Sequence, residues 1–202
     1  MKTQIKEQKK WITLDPGEFF VTDDDDVVIT TLLGSCVSAC LYDPVHKISG
    51  MNHFLLSSRR YSKDLPLCTT EAGRYGVHAM ELVINKMLNL GAQRKYLKAK
   101  AFGGGNVLNS YNGESNFYCV GDVNVRFIQE FLTNENISLV SSALGGELGR
   151  VIRFQTNNQA VFVKKIAKTN TIKLEKRDKK FWERKLAEQE ALEKEETNID
   201  LW

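Results

Sequence analysis

The sequence predicts an α+β fold: a layered sandwich with mixed sheets, followed by a charged C-terminal helix. Three observations carry this. Short β-branched or aromatic segments alternate with turn signals, two amphipathic helical stretches interrupt them, and the last thirty or so residues turn abruptly rich in Lys, Glu, Ala and Leu. Hairpin-type connections beside two helices favour α+β over a doubly wound parallel sheet.

Taken in order, Glu18 to Val21 and Val27 to Thr31 read as strands separated by the acidic turn Asp23-Asp24-Asp25-Asp26. Cys36 to Tyr42 and Ile48 to Leu56 follow as a pair joined through Asp43-Pro44-Val45-His46-Lys47. A helix starts near Thr69-Thr70 and stops at Gly91, with Ala79, Leu82, Val83, Met87 and Leu88 as its apolar positions. Lys95 to Phe102 is a strand running into a glycine turn, and residues 124–133 form a second helix with Phe127, Ile128, Phe131 and Leu132 on one face. Val151 to Phe154 and Ala160 to Ile166 make a hairpin around Asn157-Asn158. Two units are expected: a body over residues 1–168 and a helical extension over residues 169–202. The patchy apolar stripe of the extension predicts a partly docked or exposed helix rather than a core element, and suits a solvated helix better than a partner-binding one.

Composition narrows the function. A mean hydropathy of -0.32 and the lack of any long apolar run argue against a membrane-spanning chain. The net charge of +3 is too small to predict nucleic-acid binding. Within the extension, residues 173–185 carry seven Lys/Arg against three Asp/Glu and residues 186–196 carry one against five, so the two stretches cancel. The basic N-terminus has no apolar stretch behind it, so a cytoplasmic location is expected, and there Cys36, Cys40, Cys68 and Cys119 would remain thiols.

Chemistry concentrates around Cys36. Gly34 before Ser35-Cys36 lets the backbone bend sharply and present a nucleophile at a strand end. If Asp43 pairs with Ile48, His53 faces Ser38 and becomes the diagonal neighbour of Cys36 on one face, at roughly 7–8 Å between backbones. A one-residue slip would turn His53 away. An imidazole within reach of a thiol increases the thiolate and can protonate a leaving amine. The competing reading is a hydrogen-bonded core histidine. Cys36, Cys40 and His53 could also be metal ligands, but no C-x-x-C or H-E-x-x-H pattern accompanies them, so neither metal nor cofactor is expected. His46 is expected in a solvated turn and His78 in a structural helix position. Gly103-Gly104-Gly105 lacks the ending of a phosphate loop and reads as a turn, as do Gly145-Gly146 and Gly149.

Together, Thr30, Leu33-Gly34-Ser35-Cys36-Val37, Cys40-Leu41-Tyr42-Asp43-Pro44 and Gly50-Met51-Asn52-His53-Phe54-Leu55-Leu56 resemble the CheD family of chemoreceptor glutamine deamidases. Phe102-Gly103-Gly104-Gly105-Asn106, Gly121 with Asn124, and Gly145-Gly146 with Gly149-Arg150 extend the likeness over about Glu18 to Ile166. Val77 and Val123 stand where the family often carries an aspartate and an arginine. The resemblance implies a Cys-His-Thr hydrolase in which Cys36 is the nucleophile, His53 the base and Thr30 the orienting group, with Thr31 as the substitute if the strand face is reversed. It implies glutamines of methyl-accepting chemotaxis receptors as substrates, receptor methyl esters as a related substrate, and for some members a CheC-type phosphatase as partner. A non-catalytic binding module on the same fold, regulating a phosphatase or receptor, is the alternative, and a papain-like protease would share the chemistry.

Overall fold

A computed structural model describes residues 1–6, 8–56, 66–106, 120–167 and 171–197. Its strands are β1 (Lys2–Lys6), β2 (Lys9–Leu14), β3 (Phe19–Thr22), β4 (Val27–Leu33), β5 (Val37–Asp43), β6 (Ile48–Asn52), β7 (Lys98–Gly103), β8 (Ser138–Leu144), β9 (Arg150–Gln155) and β10 (Val161–Lys165). The helices are α1 (Glu71–Asn89), α2 (Val120–Asn134) and α3 (Thr171–Thr197). They build two five-stranded sheets, β1-β2-β4-β9-β10 and β3-β6-β5-β7-β8. Each sheet is mixed, because β2 runs parallel to β4 and β7 parallel to β8 while the remaining pairs are antiparallel. The α+β layered sandwich expected from the sequence is the observed architecture.

Two apolar layers follow from strand alternation. Val37, Ala39 and Leu41 of β5 pack with Val83, Ile84 and Met87 of α1 and with Phe127, Ile128 and Phe131 of α2. From the opposite face of the same sheet, Cys36, Cys40, Tyr42, Met51 and Leu55 meet Ile12, Leu14, Val27, Ile29, Ile152 and Phe154 of the other sheet. With both its faces covered, β5 is buried at every position, as a central strand between two layers must be. The side chain of Thr70 caps α1 by accepting from the Gly73 N–H.

The sequence reading misses β1, β2 and β8. β1 is exposed along its whole length, so it has no apolar alternation and is held by its ladder to β2. β8 is rich in serine and gains its place by pairing with β7. β6 stops at Asn52, four residues short of the expected strand, and the ladder resumes only as the single bridge Val37↔Phe54. β7 begins at Lys98, after a 3-10 turn at Arg94–Tyr96.

The β5–β6 turn sets the register on which the site depends. Asp43 pairs with Ile48. Its fully buried carboxylate accepts from the N–H groups of Val45, His46 and Gln93 at 2.8, 3.1 and 2.9 Å and lies 2.8 Å from His46 Nδ1. Burial pushes this carboxyl up, but these bonds outweigh it and hold its pKa below the usual value. Asp43→Ala removes a charged acceptor from three part-buried backbone donors and is expected to cost about 2–4 kcal/mol, read from the urea midpoint. His46 is therefore half-buried and bonded rather than fully solvated.

Candidate active site

Residues 34–36 lie between the end of β4 and the start of β5, and their three carbonyls are bonded from within the protein. Gly105 N–H donates to Gly34 O at 2.7 Å, and Gly104 N–H donates to Cys36 O at 2.7 Å. Asn124 Nδ2, from α2, donates to Ser35 O at 3.0 Å. The glycine turn thus works as a clamp on the Cys36 loop. Only a chain without Cβ fits: at Gly103, with φ of 112°, an added Cβ would stand 2.2 Å from Cys36 O. The family resemblance includes Asn124 with Gly121 but gives it no position; the fold places its side chain against the Cys36 loop. Its Oδ1 also accepts from Leu56 N–H at 2.8 Å, so one side chain ties the Cys36 loop to the segment after His53.

His53 follows β6 and is fixed through its backbone, which accepts from Gly17 N–H at 2.7 Å and donates to Glu18 O at 2.9 Å. The pairing Asp43↔Ile48 and the bridge Val37↔Phe54 share the register assumed above, so His53 and Cys36 lie on the inter-sheet face of one sheet. Both are buried. Thr31, on β4 of the facing sheet, places Oγ1 2.7 Å from His53 Nδ1.

Thr30 does not reach the imidazole. Its hydroxyl donates to Ile152 O at 2.8 Å within its own sheet. The reason is the period of two: Val27, Ile29, Thr31 and Leu33 face the inter-sheet core, and Thr30 faces away from it. The geometry therefore joins Thr31, not Thr30, to His53. Ile29 and Leu33 on either side were the sequence signal for that face.

The hydroxyl of Thr31 donates its single proton to Leu14 O at 2.8 Å. It must then accept from His53, which places the imidazole proton on Nδ1 and leaves Nε2 with its lone pair. Nε2 is buried and has no hydrogen-bond partner among the described residues. A bare, buried nitrogen on the cysteine's side of the sheet is free to accept a proton.

The mouth of the site is covered by α3. Its Leu174, Asp178, Phe181 and Leu186 are buried, whereas Lys176, Lys179 and Lys180 are exposed. Ser35 N–H and Ser35 Oγ both donate to Asp178 Oδ2 at 3.1 Å. Arg177 donates to Leu32 O at 2.7 Å and to Asp178 Oδ1 at 3.0 Å. Burial pushes the Cys36 thiol well above its ordinary pKa, and the charge of Asp178 pushes it further. Burial, with the Arg177 charge, lowers His53 to about 3. The covered site accordingly rests as neutral thiol and neutral imidazole. The extension is thus partly docked, and Asp178, four residues after Leu174 and three before Phe181 on the buried face, was not singled out from sequence. A charge in the middle of an apolar stripe was the available signal.

Other candidates separate from the site. Cys40 packs in the inter-sheet core with its pKa raised by burial, Cys68 is half-buried, and Cys119 lies outside the described residues. His78 is exposed on α1. Arg150 is buried and donates to the carbonyls of Ala143, Gly145 and Leu148, which assigns the Gly145-Gly149 turn a structural role. Among the described residues no three His, Cys, Asp or Glu side chains converge as a metal site, and no helix is long and apolar enough to cross a membrane.

The CheD family profile, described as CheD chemotactic sensory transduction, matches residues 61–165. "Probable chemoreceptor glutamine deamidase CheD 1" of Geobacter sulfurreducens is 50% identical over 202 residues, covering 100% of this chain and 98% of that one. The chain belongs to the CheD family. "Probable chemoreceptor glutamine deamidase CheD 2" of Shewanella oneidensis is 46% identical over 163 residues, 80% of each chain. The profile match begins after His53, so the thiol and imidazole are covered by the full-length CheD relative rather than by the profile. Among solved structures, the Bacillus licheniformis hypothetical protein YfiH aligns with a TM-score of 0.37 and 14% identity, over 62% of this chain and 49% of that chain, a likeness too slight to bear on function.

Proposed function

We propose that this CheD-family chain is a chemoreceptor glutamine deamidase that works through Cys36, His53 and Thr31. The observation that carries the reading is the imidazole of His53, held by Thr31 with Nε2 bare and placed on the face of Cys36. The names of its relatives support the substrate.

In the first half-reaction His53 Nε2 takes the thiol proton and Cys36 Sγ attacks the glutamine carboxamide carbon. The C–N bond then breaks, His53 returns the proton to the departing nitrogen, and ammonia leaves a thioester. In the second half, water gives a proton to Nε2 and attacks the thioester carbon. The C–S bond breaks, the proton returns to sulfur, and glutamate is released. The Ser35 N–H, which donates to the Asp178 carboxylate in this structure, is the donor for the oxyanion once a substrate takes that place. A methyl ester would follow the same thioester path with methanol as the leaving group.

Intact-mass spectrometry of a receptor cytoplasmic fragment tests the reading. Each turnover adds about one dalton as –NH₂ becomes –OH and releases one ammonia. A folded protein that binds the fragment without changing its mass would be a binding module, and a new peptide terminus would mean proteolysis. The threonines are separated by paired variants. Thr31→Val is expected to lower kcat about 10- to 100-fold by freeing the imidazole, whereas Thr30→Val stays within about twofold. The opposite ranking would return Thr30 to the site.

A further inference from the structure

The pocket at Gly17, Phe19, Asn52 and His78 abuts His53 and belongs to the same site. What stands out is Asp178. A fully buried carboxylate on an otherwise soluble helix is costly, and an apolar residue of similar size would hold the helix at least as well. Its partners explain the choice only if they matter for another reason. They are the N–H and hydroxyl of Ser35, the residue before the nucleophile, and Arg177 beside it.

The groove is shaped for a helix. An added Cβ at Gly34 would stand 2.5 Å from Asp178 Oδ2 and 3.1 Å from Leu174 Cγ, and one at Gly149 would stand 2.5 Å from Leu174 Cδ2. Gly17 lets Phe181 approach in the same way, with a Cβ contact of 3.3 Å. Three glycines from three separate loops thus let α3 lie directly on backbone. Lys185 reaches the ring of Tyr75 at 5.7 Å, so α1 forms one wall.

We propose that α3 is an intramolecular occupant of the substrate groove, with Asp178 mimicking the carboxylate product in the oxyanion pocket, and that a receptor helix bearing a carboxamide displaces it. The proposal rests on the deamidase reading for the substrate, but the occupancy of the groove stands on the contacts above. A glutamine side chain is one methylene longer than aspartate, so the substrate helix would sit farther from Gly34 than α3 does. The seat suits displacement: Leu174, Phe181 and Leu186 are its buried apolar anchors among the described residues, and the lysines between them face solvent. With α3 seated, Cys36 is buried and its thiol held protonated, so the docked state is the inactive one.

The test uses the full chain and reads Cys36 directly. Wild type, Asp178→Ala and Leu174→Ser are treated with iodoacetamide, and carbamidomethylation of the Cys36 and Cys40 peptides is followed by mass spectrometry. Expected is at least a tenfold faster reaction at Cys36 in both variants, with Cys40 still unreactive as the control for a folded core. Cys36 reacting at the wild-type rate in both variants overturns the proposal. A variant that unfolds would expose Cys40 as well. For that case hydrogen exchange on wild type decides: saturating receptor fragment should strip protection from α3 amides while β5 keeps its own, and unchanged α3 protection during turnover overturns the proposal. Faster alkylation with no deamidation by any variant would sink the deamidase reading and leave the seated helix standing. Deamidation with equal kcat/KM in wild type and Asp178→Ala, at equal alkylation rates, would do the reverse.

Discussion

Cys36→Ala is expected to leave a chemoreceptor fragment at its original mass under conditions where wild type converts it, a loss of about a thousandfold or more in kcat/KM. The size follows from covalent chemistry. Without sulfur there is no atom to form the thioester, and water in a buried site has no second nucleophile to replace it. The change should be nearly silent in the fold. It removes one buried atom from the inter-sheet layer, at about 1–2 kcal/mol. Unaltered circular dichroism and a urea midpoint lowered by no more than that cost would show that the loss is chemical. Conversion by the alanine variant at the wild-type rate would remove Cys36 from the mechanism.

His53→Ala should cost about 10²–10⁴-fold in turnover, the range for a lost general base and acid. It should also change how stability depends on pH. Burial, together with the Arg177 charge, brings the imidazole down to about 3 from an ordinary value of 6.5. Between those two values the unfolded chain binds a proton that the folded protein does not. The stability associated with a neutral His53 is therefore complete above pH 6.5 and is lost progressively as pH falls toward 3. Urea unfolding at a series of pH values should show the stability of wild type relative to His53→Ala shrinking below pH 6.5, by at most about 1.4 kcal/mol per pH unit. A difference independent of pH would mean that the histidine is not held neutral.

Much of this was legible in the sequence because it depends on local periodicity. The β5–β6 register could be read because Asp43-Pro44 marks a turn and the segments on either side alternate; once that register holds, His53 and Cys36 must share a face. The α1 and α2 stripes and the β9–β10 hairpin were readable for the same reason. β1 and β8 were not, since an exposed or serine-rich strand carries no apolar alternation and exists through its partner's backbone. The orienting threonine lay between. Thr30 and Thr31 differ only in strand face, and the family resemblance pointed to Thr30, whereas the alternation of Ile29 and Leu33 placed Thr31 toward His53.

Residue type and spacing by themselves determined the layered α+β class, the thiol at a glycine bend, and the histidine one strand away. Only the tertiary structure decided what surrounds them. Asn124 lies 88 positions beyond Cys36 in the chain and Asp178 lies 142 beyond it, yet both contact the Cys36 loop. No periodic signal links residues so far apart. Their meeting depends on how two sheets and three helices stack, and burial in that stack also sets the protonation of Cys36 and His53.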